Sequence, residues 1–107
     1  MTRIDQIKKL LARGEEPFLL YSLAMELSAQ AQTDEAMAAF NRCLEADPAY
    51  LPAYVEAGKT LRSAGRLDEA RAMFQAGLEL AARKGEAHMR DYIQQQLDAL
   101  PRPDAQT

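Results

Sequence analysis

Lys59 and Arg62 stand three residues apart. On a helix that spacing sends both cations out from one side, where they can act on a single anionic group. Glu56 lies one turn before Lys59 and can pair with it. Arg62 is then the better donor to a carboxylate, since a guanidinium offers two parallel N–H groups. Nothing comparable assembles for catalysis. His88 is the sole histidine and reads as a partly exposed polar residue near a helix start. Ser22, Ser28 and Ser63 fall on predicted helices without a histidine in the same stretch to act as base. No His/Cys/carboxylate set has metal-ligand spacing, and there is no glycine-rich phosphate loop. The expectation is no catalytic residue, no metal and no cofactor.

These side chains need helices to position them, and the composition supplies helix formers: Ala, Leu, Glu, Gln and Arg dominate. The chain also repeats itself. Asp34-Glu35-Ala36-Met37-Ala38-Ala39-Phe40, followed by Leu44-Glu45, returns 34 residues later as Asp68-Glu69-Ala70-Arg71-Ala72-Met73-Phe74, followed by Leu78-Glu79. Leu27 and Leu61 share the same offset. A fixed period of this size means stacked copies of one supersecondary unit, none of which buries its apolar face alone.

Each copy reads as a helical hairpin. Pro17 can open the first helix at a position where the missing N–H costs nothing, and Leu20, Leu23, Ala24 and Leu27 form its packing stripe. Residues 30–33 make the turn, with Thr33 as cap of the partner helix and Asp34 and Glu35 at the positive end of its dipole. Ala36, Ala39, Phe40, Cys43 and Leu44 give that helix an inward face, and Asp47-Pro48 ends it. In the second copy Pro52 starts a helix, Gly65 breaks the chain, and Leu67 begins the partner. Gly58 falls mid-helix at a cost of roughly 1 kcal/mol against alanine, which predicts close approach of the paired helix. Gly77 invites the same argument.

Residues 17–50 resemble a tetratricopeptide repeat, and residues 51–84 resemble a second. The family motif asks for large apolar, apolar and small residues at set spacings, then small, aromatic and small residues, and a closing proline. The first copy supplies Leu20, Leu23, Ala24, Leu27, Ala36, Phe40, Cys43 and Pro48. The second supplies Tyr54, Ala57, Gly58, Leu61, Ala70, Phe74 and Gly77, and departs at Ala82, so that this junction is expected to run on as helix. The resemblance implies an all-α fold: an α–α superhelix, a right-handed solenoid of two hairpins with a flanking helix at each end.

The flanking helices complete a single expected domain over residues 1–100. The first, residues 2–13, has Thr2 and Asp5 in capping-box spacing, Ile4, Ile7, Leu10 and Leu11 on one face, and Gly14 placed to end it. Its Lys8, Lys9 and Arg13 suit lipid headgroups, but its short length and lack of an aromatic anchor favour packing over the first repeat. The last helix, residues 86–100 after Gly85, carries Met89, Tyr92, Ile93, Leu97 and Leu100 at helical spacing, with Arg90, Asp91, Gln94, Gln95 and Asp98 outward, as a solenoid cap does. Residues 101–107 read as a disordered polar tail.

Bulk properties narrow the partner. A net charge of −3 argues against nucleic acid, which wants a basic face. No apolar run approaches the roughly 20 residues of a membrane span, and Arg3, Asp5, Lys8 and Lys9 interrupt any signal-peptide core. The lone Cys43 excludes an intrachain disulfide and suits a reducing compartment. Location in the cytoplasm is expected.

In the family resembled, the first helix of each pair lines a concave groove that holds an extended peptide or a partner's helix. Subtracting the packing stripe leaves Tyr21, Met25 and Ser28 from the first repeat, Val55, Glu56, Lys59 and Arg62 from the second, and Arg90 and Gln94 from the last helix. One end is apolar and the other cationic, which suits a segment with an apolar anchor and a carboxylate. Family members that grip chaperone tails use lysine, asparagine and arginine at groove positions that here hold Tyr21, Met25 and Glu56, so that partner is not expected. The function expected is non-catalytic protein binding. The alternative is a structural subunit that assembles with copies of itself into a homo-oligomer.

Overall fold

The computed structural model describes residues 1–102. It contains α1 (Arg3–Leu11), α2 (Pro17–Ala29), α3 (Thr33–Ala46), α4 (Leu51–Ser63), α5 (Leu67–Lys84) and α6 (Ala87–Asp98), with no strand among the described residues. The fold is an all-α helical repeat. Two compact units divide it, Met1–Ala53 and a second from Tyr54 onward, so α4 begins in one and continues through the other.

In the first unit, a complete capping box starts α1. Thr2 Oγ1 accepts from the Asp5 amide at 3.1 Å, and Asp5 Oδ2 accepts from the Thr2 amide at 3.3 Å. Ile7 is buried, with Ile4 and Leu11 half-buried on its side of the helix. Leu10, expected on the same face, is 47% exposed, because at 3.6 residues per turn Ile4 and Leu11 fall on one side of Ile7 and Leu10 about 60° around on the other. Gly14 is not the terminator either. The helix closes through right-handed Ala12, and Gly14 does not take a positive φ.

Pro17 occupies the first turn of α2. Leu20, Leu23, Ala24 and Leu27 are buried on α2, as are Ala36, Ala39, Phe40 and Cys43 on α3. Tyr21 meets the Phe40 ring edge-on at 6.3 Å and lies 5.4 Å from the Tyr50 ring. Thr33 does not cap α3: it is already helical, Gln32 flanks the helix, and no side chain caps it. Asp34 and Glu35 in the first turn supply the favourable charge instead. At the other end Asp47 is extended and its Oδ1 accepts from the Ala49 amide at 3.0 Å, an Asx turn into the next helix.

In the second unit, Phe74 of α5 is fully buried and explains Gly58. A Cβ added at Gly58 would lie 2.5 Å from the Phe74 ring. With Ala82 where the first copy has Pro48, α5 runs to Lys84, 18 residues against 14 for α3. The helix does run past Ala82, but it does not fuse with α6: Gly85 turns left-handed at φ 70° and stops it. α6 is shorter than its expected span, though Leu100 beyond its end is still buried. Arg71 holds this exit by donating to the Pro101 carbonyl. Of the expected tail, Pro101 and Arg102 are exposed and non-helical; residues 103–107 lie outside the described residues.

Three helices end by the same device. The amides of Gln32, Arg66 and Glu86 donate back five residues to the carbonyls of Leu27, Leu61 and Ala81, at 3.0, 2.9 and 2.9 Å. This 6→1 bond needs a left-handed residue just before it. Gly65 and Gly85 supply one at φ 77° and 70°, but the first unit uses Ala31 at φ 58°.

Candidate functional site

The second unit brings a polar cluster together between α4 and α6. Lys59 and Glu56 form an ion pair one turn apart, Nζ to Oε2 at 3.5 Å. The ammonium also lies 5.0 Å from the centre of the Tyr92 ring on α6. Hydrogen bonding with Tyr92 raises the Lys59 pKa, burial opposes the rise, and Glu56 adds to it, so the lysine stays cationic. Arg62 Nη1 donates to Gln96 Oε1 on α6 at 2.6 Å, and its guanidinium lies 5.9 Å from the Phe74 ring centre.

Glu56 anchors this cluster from inside. Its Oε2 is shut off from solvent and is balanced by the Lys59 ammonium at 3.5 Å, since a buried carboxylate is costly unless it is paired.

The other sequence-derived residues are placed differently. Tyr21, Met25 and Ser28 are half-buried in the first unit. Val55 is buried and offers no surface to a ligand. Subtracting one packing stripe assumed that α4 is covered on one side, whereas Leu51, Ala53, Val55, Ala57, Thr60 and Leu61 are buried around it. Arg90 and Gln94 are exposed on α6 and held by carboxylates of their own helix: Arg90 pairs with Asp91 at 3.2 Å, and Gln94 donates to Asp98 at 2.9 Å. Tyr92 and Gln96 were not among the expected site residues. A signal for one of them existed: the 34-residue offset carried one copy further takes Arg62 to Gln96.

Among the described residues no group of three or more His, Cys, Asp or Glu is placed to hold a metal ion. The Cys43 thiol is buried and donates to the Pro17 carbonyl at 3.4 Å. Burial, with Asp47 adding to it, pushes its pKa from 9.0 up to about 11, far from the lowered value of a reactive cysteine.

The family model for the tetratricopeptide repeat matches residues 27–89, more than half of the chain. The chain belongs to the tetratricopeptide repeat family. It is 32% identical over 84 residues to a TPR repeat-containing protein, PA0015, of Pseudomonas aeruginosa, covering 78% of this chain and 80% of that one. Among solved structures, protein BPP2914 from Bordetella parapertussis is similar with a TM-score of 0.83 at 28% identity, over 98% of this chain and 92% of that one. A tetratricopeptide repeat domain protein from Salinibacter ruber is similar with a TM-score of 0.70 at 30% identity, over 78% of this chain and 84% of that one. Tetratricopeptide repeats are generally non-catalytic modules of protein–protein interaction. No helix among the described residues is long and apolar enough to cross a membrane.

Proposed function

We propose that this tetratricopeptide repeat protein binds an extended segment of a partner protein at the α4–α6 face of its second unit. The observation that supports the reading is the pair of half-buried cations Lys59 and Arg62, held against α6 by Tyr92 and Gln96. An extended peptide offers C=O groups at regular spacing to which both cations can donate. Arg62 takes a carboxylate or carbonyl, Lys59 takes a second acceptor, and Tyr92 gives a ring against which an apolar side chain can lie. Arg90 and Gln94 project from the side of α6 roughly opposite Tyr92 and Gln96 and are not part of this face. Tyr21 and Met25 remain the apolar candidates of the first unit, with Ser28 a polar one.

The test is selection of peptides from a displayed random library on the whole chain, then calorimetric titration of the selected peptide. Arg62→Ala is expected to weaken binding at least tenfold, about 1.4 kcal/mol, with unchanged helicity. Affinity equal to the parent's in both Arg62→Ala and Lys59→Ala refutes the α4–α6 assignment.

A further inference from the structure

The outward side of α1 is a second surface with its own chemistry. Leu10 is 47% exposed and Met1 80%. Gln6, Lys9, Leu10 and Arg13 follow one another at helical spacing and, with Met1, line a shallow depression of about 300 Å³. A second depression of about 290 Å³ shares Leu10 and Arg13 and continues over Gly14 and Glu16 to Leu19 of α2. Phe18, beside Leu19, is 63% exposed.

The charges around these hollows are unspent. Arg3 of the same helix is tied to Glu26 at 2.7 Å, and Arg42 pairs with Glu15. Lys8, Lys9 and Arg13 have no carboxylate at ion-pair distance among the described residues. Three free cations at one helix end, in a chain of net charge −3, make a local positive field around exposed leucine. We infer that α1 docks an acidic amphipathic helix of a partner protein, with an apolar side chain in each hollow and carboxylates on Lys9 and Arg13. Glu16 at the far end sets the direction, since it repels an acidic residue there. A membrane is the poorer occupant. Ile7 is turned inward, which leaves Met1, Leu10 and the nearby Phe18 as the exposed large apolar groups, a small set for interfacial insertion, and Glu16 among them disfavours anionic headgroups. This surface lies in the first unit and does not depend on the α4–α6 reading.

The probe is a fluorescent helical peptide of leucine and glutamate, about 15 residues long so that it can hold a helix, with leucines at i, i+3, i+4 and i+7. Titrated against the full chain by anisotropy, it is expected to bind, and Lys9→Glu with Arg13→Glu to weaken it at least tenfold. The milder Lys9→Gln with Arg13→Gln should weaken it as well, while Arg83→Glu, on α5, should not. Circular dichroism checks that each variant is folded. The proposal is overturned if the acidic peptide does not bind, if its lysine counterpart binds equally, or if both charge variants bind as the parent does. It is also overturned if Lys9 and Arg13 control only binding to phosphatidylserine vesicles, which means a membrane, or only a Leu10-dependent dimer in sedimentation, which means a second copy.

Discussion

Replacing Gly58 by alanine sets two effects of similar size against each other. Alanine is favoured over glycine inside a helix by about 1 kcal/mol, so at an open position Gly58→Ala stabilises. Here the added methyl would lie 2.5–2.7 Å from three ring carbons of Phe74, and that ring is fully buried, with Arg62 on one side. Forcing an extra methyl into a packed core costs about 1–3 kcal/mol, and contacts this short put the cost in the upper part of that range. The net expectation is a loss of about 1 kcal/mol or more, which lowers Tm by about 4–8 °C for each kcal/mol in a domain of this size. The first unit has Ala24 and Phe40 at the positions 34 residues earlier, both buried, and there the Phe40 ring meets Tyr21 edge-on. A second background isolates the cause. Phe74→Ala alone should cost about 3–5 kcal/mol, and adding Gly58→Ala to it should then stabilise by about 1 kcal/mol. Urea unfolding followed at 222 nm, with trimethylamine oxide added where a variant is marginal, measures both cycles. Stabilisation by Gly58→Ala in the chain with Phe74 intact would refute the steric argument.

Two further outcomes follow from backbone and thiol. Ala31 sits at φ 58° where Gly65 serves the second copy; relieving a left-handed alanine is worth about 1 kcal/mol, so Ala31→Gly should raise the urea midpoint and Gly65→Ala lower it. Cys43 should resist iodoacetamide at pH 8 in the native chain and react once unfolded. Since its folded pKa is raised from 9.0 to about 11, its stabilising contribution is complete below pH 9 and is lost as pH rises through that interval. Cys43→Ala should flatten stability against pH in this window.

Much of the fold was legible because a repeat doubles every signal. Phe40 and Phe74, or Leu27 and Leu61, are weak alone and strong at one offset. What escaped depends on backbone geometry or on several packing sides at once. An alanine gives no sign that it will turn left-handed, so the turn at Ala31 was invisible while Gly65 was plain. Thr33 is a good cap by type, yet the 6→1 turn before it already fixes Gln32, and the helix starts one residue early. In the site, the Glu56–Lys59 pair follows from helix spacing, a local rule. The Tyr92 and Gln96 contacts are tertiary, and the cap helix was expected to contribute Arg90 and Gln94 from its polar side instead. Val55 failed for the same reason in reverse, since a helix covered on several sides leaves no free face to assign by subtraction.

The tyrosine pairings make the protein its own optical instrument. It has four tyrosines and no tryptophan. Tyr21 and Tyr50 lie ring to ring in the first unit, while Tyr92 sits under an ammonium in the second. Near-ultraviolet dichroism arises only where aromatic rings are held in fixed, asymmetric surroundings. The two halves therefore carry separate native reporters, and Tyr→Phe exchanges at positions 21, 50, 54 and 92 can silence them one at a time. Partner binding, or melting of one half ahead of the other, can then be followed without attaching a dye.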